Sequence, residues 1–200
     1  DWHPGLVAYG PATGEPVDTA AAPVWDYEGP RLVAQQVTES GTNTSVNTVP
    51  FSPSDHWAFS PLGYMVGGVS TRYAIDLYRP DGTVLRIERV AEPVPVSRGE
   101  RANREELTRW GMRRTQPDWT WDGPPIPDEK PPFREIFAGR DGRIWVLLHQ
   151  PGEPIPEDQI MEPDPDDPTA RPAVRWREPV VFDVFEPDGT YLGQVRGPAD

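Results

Sequence analysis

Two hundred residues are enough for one domain with a real core and too few for two large ones. A net charge of −13, from 19 Lys and Arg against 32 Asp and Glu, argues against nucleic-acid binding and against adsorption on anionic lipid, and the absence of cysteine removes disulfides, thiolate metal sites and cysteine nucleophiles. The 27 prolines and 36% hydrophobic content would suit a disordered chain, but 8 Trp, 6 Tyr and 6 Phe point instead to ordered strands joined by Pro-stiffened loops.

In chain order, the first 50 residues read as the end of a preceding repeat unit plus connecting strands. Tyr9 to Val17 (Tyr-Gly-Pro-Ala-Thr-Gly-Glu-Pro-Val) resembles a weak copy of a turn found later. The chain begins at Asp1 without Met, for which a cleaved signal peptide is the simplest expectation. Residues 51–97 are the best organised. Trp57–Ser60 and Tyr64–Val66 flank a Pro-Leu-Gly turn, Gly67-Gly68 reads as a break, and Tyr73–Tyr78 alternates with Tyr73, Ile75 and Leu77 on one face. Pro80-Asp81-Gly82 then turns the chain into Thr83–Ile87: proline presets the first dihedral, aspartate closes a local hydrogen bond and glycine takes the left-handed position. The expectation is a four-stranded antiparallel meander.

Ser97-Arg-Gly-Glu100 has capping-box spacing and precedes helix formers, predicting one short helix near 98–110. The rest of 98–132 is a Pro-rich linker. A second unit spans 133–200, interrupted by a loop insertion over 149–178 that carries seven prolines. Here the turn signature recurs: Tyr78-Arg-Pro-Asp-Gly-Thr-Val-Leu matches Phe185-Glu-Pro-Asp-Gly-Thr-Tyr-Leu, and the hairpin Phe59–Val66 resembles Phe137–Val146. Hairpins repeated in fixed order mean a repeat architecture. The longest apolar run, Ile144–Leu148, has strand length and cannot span a bilayer.

The run Pro50–Arg101, with Lys130-Pro-x-Phe133, Asp141-Gly-Arg-Ile-Trp-Val146 and Val181-Phe-Asp-Val-Phe185-x-Pro-Asp-Gly, resembles bacterial six-bladed, NHL-like β-propeller proteins over roughly residues 30–197. The resemblance implies an all-β fold, antiparallel meanders forming a partial or open propeller of two blades and part of a third. It also implies export to the periplasm or beyond. A full ring needs about twice this length. An open arc leaves strand edges that something must cover.

Candidate chemistry is sparse. His3, His56 and His149 are scattered without metal-site spacing. His149 ends a strand at the mouth of the insertion, where a ligand group could sit. The acidic run Glu157–Asp167 lacks calcium-loop geometry and reads as a solvated charge run. No nucleophile elbow, P-loop or dinucleotide fingerprint is present. Trp110, Trp119, Trp121 and Trp176 either dock on their own domain or anchor a partner, since interfaces favour tryptophan. The expected function is therefore a non-enzymatic protein-binding or scaffold subunit without cofactor or metal, an accessory on the periplasmic face of a larger membrane-associated complex, with Trp110, Trp119, Trp121, His149 and Trp176 as candidate partner-binding residues. The alternatives are a fragment of a propeller enzyme of the metal-dependent lactonase kind and a solute- or glycan-binding propeller.

Overall fold

The structure, a computed structural model, describes residues 5–9 and 13–198. His3 and positions 10–12 of the Tyr9–Val17 turn lie outside the described residues. Strands β1 (Gly5–Tyr9) and β2 (Pro16–Ala21) form one antiparallel ribbon, and β3 (Arg31–Thr38) and β4 (Gly41–Thr48) a second. Strands β5 (Asp55–Phe59), β6 (Met65–Val69), β7 (Ala74–Tyr78) and β8 (Val84–Glu88) then make a four-stranded antiparallel sheet in sequence order. Two-residue β9 (Val94–Pro95) precedes helix α1 (Arg98–Arg113) and pairs with β10 (Glu129–Lys130) beyond it. The second four-stranded sheet starts with β11 (Phe133–Ala138) and β12 (Ile144–Leu148). It is interrupted by the short bridge β13 (Glu153–Pro154) to β14 (Trp176–Arg177), and ends with β15 (Val181–Phe185) and β16 (Tyr191–Arg196). The chain is thus mostly antiparallel β with one α-helix. Its described strands close into no barrel.

The repeated turns are chemically identical in the two sheets. Arg79 N–H donates to Thr83 O at 2.9 Å and Gly82 N–H to Arg79 O at 3.0 Å; Glu186, Thr190 and Gly189 do the same at 2.9 and 2.9 Å. Asp81 and Asp188 each accept the N–H of the threonine two residues on. Gly82 (φ +82°) and Gly189 (φ +91°) occupy the left-handed region that a side chain would strain. The hairpins at Ser60–Tyr64 and Gly139–Arg143 repeat the same backbone pattern, with Gly63 and Gly142 left-handed. Gly67-Gly68 departs from expectation: both glycines lie inside β6 and do not break it. A Cβ on Gly67 would sit 2.6 Å from the Trp25 ring, and one on Gly68 would collide with the Ala74 carbonyl. Close approach, rather than a turn, requires glycine there.

Two cores result. Val66, Ile75, Leu77 and Ile87 of the first sheet interlock with Ile136, Ile144, Val146 and Phe185 of the second, so the sheets pack face to face. Tyr73 and Phe133 complete this core. The second core gathers Leu32, Ala34 and Val49 at the base of the β3–β4 ribbon with Val96, Met112, Trp119 and Ile126. Beyond that base the ribbon is an arm, with Val37 81% exposed. Ser97 caps α1, its Oγ accepting the Glu100 N–H at 3.2 Å, and the helix runs one turn further than the sequence predicts. The 149–178 insertion is pinned along that helix. Asn103 Nδ2 donates to Ala173 O, Asn103 Oδ1 accepts from Arg175 N, and Trp110 Nε1 donates to Thr169 O, each at 2.9 Å.

Candidate functional site

The matching turns align the two sheets residue by residue. With Ser60 set against Gly139 and Arg79 against Glu186, the first-sheet residues Ala58, Val66, Ile75, Leu77 and Ile87 correspond to Phe137, Trp145, Phe182, Val184 and Val195. In the first sheet this face is the one packed on its neighbour: Val66, Ile75 and Leu77 are fully buried. In the second sheet the equivalent face looks away from the first. Phe137 is 45% and Val195 43% exposed, Trp145 and Phe182 are half-buried, and Val184, opposite Trp145 in register, is buried. Edge-to-face contacts run from Phe137 to Phe182 (6.1 Å) and from Trp145 to Phe182 (5.7 Å), a continuous aromatic ladder. The side of the second sheet that packs on the first corresponds in turn to Met65, Gly67, Asp76 and Tyr78, where Trp25 lies against Gly67. The sheets therefore stack head to tail, one kind of face of the first meeting the opposite kind of face of the second.

Charged groups fix that stacking. Asp183, 1% exposed, accepts from the Tyr73 hydroxyl at 2.7 Å, from the Tyr191 hydroxyl at 3.1 Å and from the Arg89 guanidinium. Arg89 also lies over the Tyr191 ring, 4.2 Å from its centroid. Burial, together with the hydrogen bond and charge of Asp183, drives the Tyr73 phenol far above its usual range, so it stays a donor.

A second charged cluster joins α1 to the second sheet. Lys130 Nζ, fully buried, donates to Glu100 Oε1 (2.6 Å) and to Gln150 O (2.7 Å) and lies 3.2 Å from Glu178 Oε1. Glu178 takes the Gln150 N–H (2.8 Å) and His149 Nδ1 (3.0 Å). Burial would raise the Glu178 carboxyl, but the His149 hydrogen bond and charge, the Gln150 N–H and Lys130 outweigh it and hold it at about 2. The Glu100 side chain thus leaves the capping box to pair with Lys130. His56, in β5, contacts Ser54 Oγ at 2.9 Å and packs edge-on against Phe133. Burial pushes its pKa down against the pull of Glu135 and Asp55.

Of the expected partner-binding residues, Trp119 is a core residue. It is 2% exposed, and its Nε1 donates to Val33 O at 2.9 Å, because the linker folds back under the ribbon. Trp121 stacks edge-on against it and donates to Pro124 O. Trp176 packs so closely on Gly99 that a Cβ there would collide with its ring. Trp110 lies against the Arg114 and Arg171 guanidinium groups and holds the insertion. These four tryptophans all dock on their own chain, and His149 alone lines an open cleft beside ionisable groups. The aromatic ladder was missed, although the sequence holds its signal: the aligned repeat replaces Ala58, Val66 and Ile75 with three aromatics. Among the described residues no group of three His, Asp or Glu side chains is set to hold a metal ion, and no helix is long and apolar enough to cross a membrane.

No protein-family model matches the chain, and no curated protein and no solved structure matches it either. The likeness to NHL-like propellers therefore rests on the residues quoted for it alone.

Proposed function

We propose that this chain is a non-enzymatic protein-binding module, an open arc of propeller-type blades whose second sheet receives a further sheet from a partner. One observation carries the reading: Phe137, Trp145, Phe182 and Val195 form an apolar face that is exposed or half-exposed. By the internal repeat it is equivalent to the face of the first sheet that is already buried. Large contiguous apolar surface on a soluble domain marks an interaction site, and a face built like an occupied one calls for the same kind of occupant. The fitting partner surface is a four-stranded antiparallel sheet presenting mixed aliphatic side chains and an arginine-paired aspartate, as the second sheet presents to the first. The acidic, cysteine-free, Pro-rich sequence suits an accessory subunit outside the bacterial cytoplasm, and the NHL-like resemblance implies the same place.

The test is Trp145→Glu, with Arg140→Glu as a surface control. Tagged wild-type protein, purified from its source in mild detergent, is expected to retain a stoichiometric partner that Arg140→Glu also retains and Trp145→Glu loses, with all three melting alike. A wild-type chain that runs as a dispersed monomer with no retained partner would end the proposal.

A further inference from the structure

A cleft of about 350 Å³ opens where α1 passes the start of β11 and the end of β12. Its apolar wall is Pro50, Phe51 and Leu107, and Arg104, Thr108, Arg134, His149 and the paired carboxylate of Glu178 face it. Phe51 stands at φ +60°, the left-handed region, and is the one described residue other than glycine that does so. A bulky side chain held there is strained, and such strain gathers at ligand clamps. The Phe51 ring is a meeting point for cations: Lys130 Nζ lies 4.8 Å and the Arg104 guanidinium 5.5 Å from its centroid, and the His149 ring meets it edge-on at 5.9 Å.

The charges around this ring do not balance. Lys130, Arg134 and Arg104 confront Glu100 and Glu178. Glu178 is already committed to Lys130, His149 and the Gln150 N–H. Glu100 is committed to Lys130 through Oε1, and its buried Oε2 has no hydrogen-bond partner. Arg134 reaches Glu178 only at 4.0 Å, and its Nε is buried with no hydrogen-bond partner. Arg104 has no carboxylate within ion-pairing distance among the described residues, in a chain whose acidic groups outnumber its basic ones 32 to 19. An orphaned guanidinium N–H is costly, and the partly exposed Arg134 fork around it is open to an acceptor.

We infer that this cleft is a binding site for a small organic carboxylate. The planar carboxylate matches the donor forks of Arg104 and Arg134, and its apolar body lies on Phe51, Pro50 and Leu107. The excess positive charge suits an anion, the apolar wall suits an organic one over inorganic phosphate, and the volume lies at the low end for small-ligand pockets. The carboxylate is carried either by a free acid or by a peptide C-terminus. The cleft shares no residue with the aromatic face of the second sheet, so the two proposals stand or fall separately.

Titration of the full chain, followed by NMR shifts of the tryptophan indole N–H and histidine signals, tests the inference with benzoate, benzamide, N-acetylphenylalanine and inorganic phosphate. Benzoate is expected to bind saturably. Benzamide and phosphate should bind at least about tenfold more weakly, and Arg104→Gln should weaken benzoate by about tenfold or more while leaving the melting temperature unchanged. N-acetylphenylalanine binding tighter than benzoate assigns the carboxylate to a chain terminus; the reverse order assigns it to a free acid. Absence of saturable benzoate binding, binding undiminished in a folded Arg104→Gln protein, or phosphate binding as tight as benzoate would each overturn the assignment.

Discussion

Glu178 shows how one carboxylate can hold several elements together. It carries Lys130, His149 and the Gln150 N–H, so it links β10 to the end of β12. Its pKa of about 2 in the folded protein lies below the 4.5 of an unhindered glutamate. A depressed carboxylate stabilises the fold above its unfolded pKa and loses that contribution as pH falls through the folded one. The loss should amount to about 3 kcal/mol between pH 5 and pH 2. Urea midpoints measured across that range should fall steeply in the wild type and more shallowly in Glu178→Gln. That variant should already be weaker at pH 7 by about 1–3 kcal/mol, because Lys130 keeps Glu100 but loses its second carboxylate. Trp119 is the apolar counterpart. Trp119→Ala should cost about 3–5 kcal/mol, and Trp121→Ala, at the half-exposed rim, clearly less, by chemical denaturation. The sequence marks these tryptophans as unusual but leaves their destination open, since burial depends on the ribbon base and helix that fold over them. Arg104, Arg134 and Phe51 carried no signal at all: their convergence is made by three segments distant in sequence.

Elements were the most legible level. Strands alternate, turns carry Pro-Asp-Gly-Thr, and a serine three residues before a glutamate starts the helix, all consequences of local chemistry. The two-residue bridges β9–β10 and β13–β14 had no local signature, because tertiary packing brings their partners together. Gly67-Gly68 was misread for a related reason: glycine marks either a turn or a close approach, and only the position of Trp25 and Ala74 decides between them. Gly68→Ala should therefore destabilise the protein by about 1–3 kcal/mol, by forcing β7 away from β6, a cost that a loop glycine would not show in a thermal melt. The β3–β4 arm should behave oppositely. Beyond its base its residues are almost all exposed, so replacing 37–42 by a two-residue turn should leave the melting temperature within about 2 °C of wild type.

At the scale of the molecule, two sheets repeat one plan and stack in one sense. Head-to-tail stacking leaves an unmatched face unless it closes on itself. The described strands do not close. Here the unmatched face is the Phe137–Phe182–Trp145 ladder, and the account depends on its being covered in the native assembly. Hydroxyl-radical footprinting of Trp145 and Phe137, in extracts of the source and in the purified chain, measures that coverage directly. Strong protection of both residues in the extract, absent in the purified chain and with Trp110 unchanged between the two, is the predicted result. Equal oxidation of Trp145 and Phe137 in the two samples would contradict it.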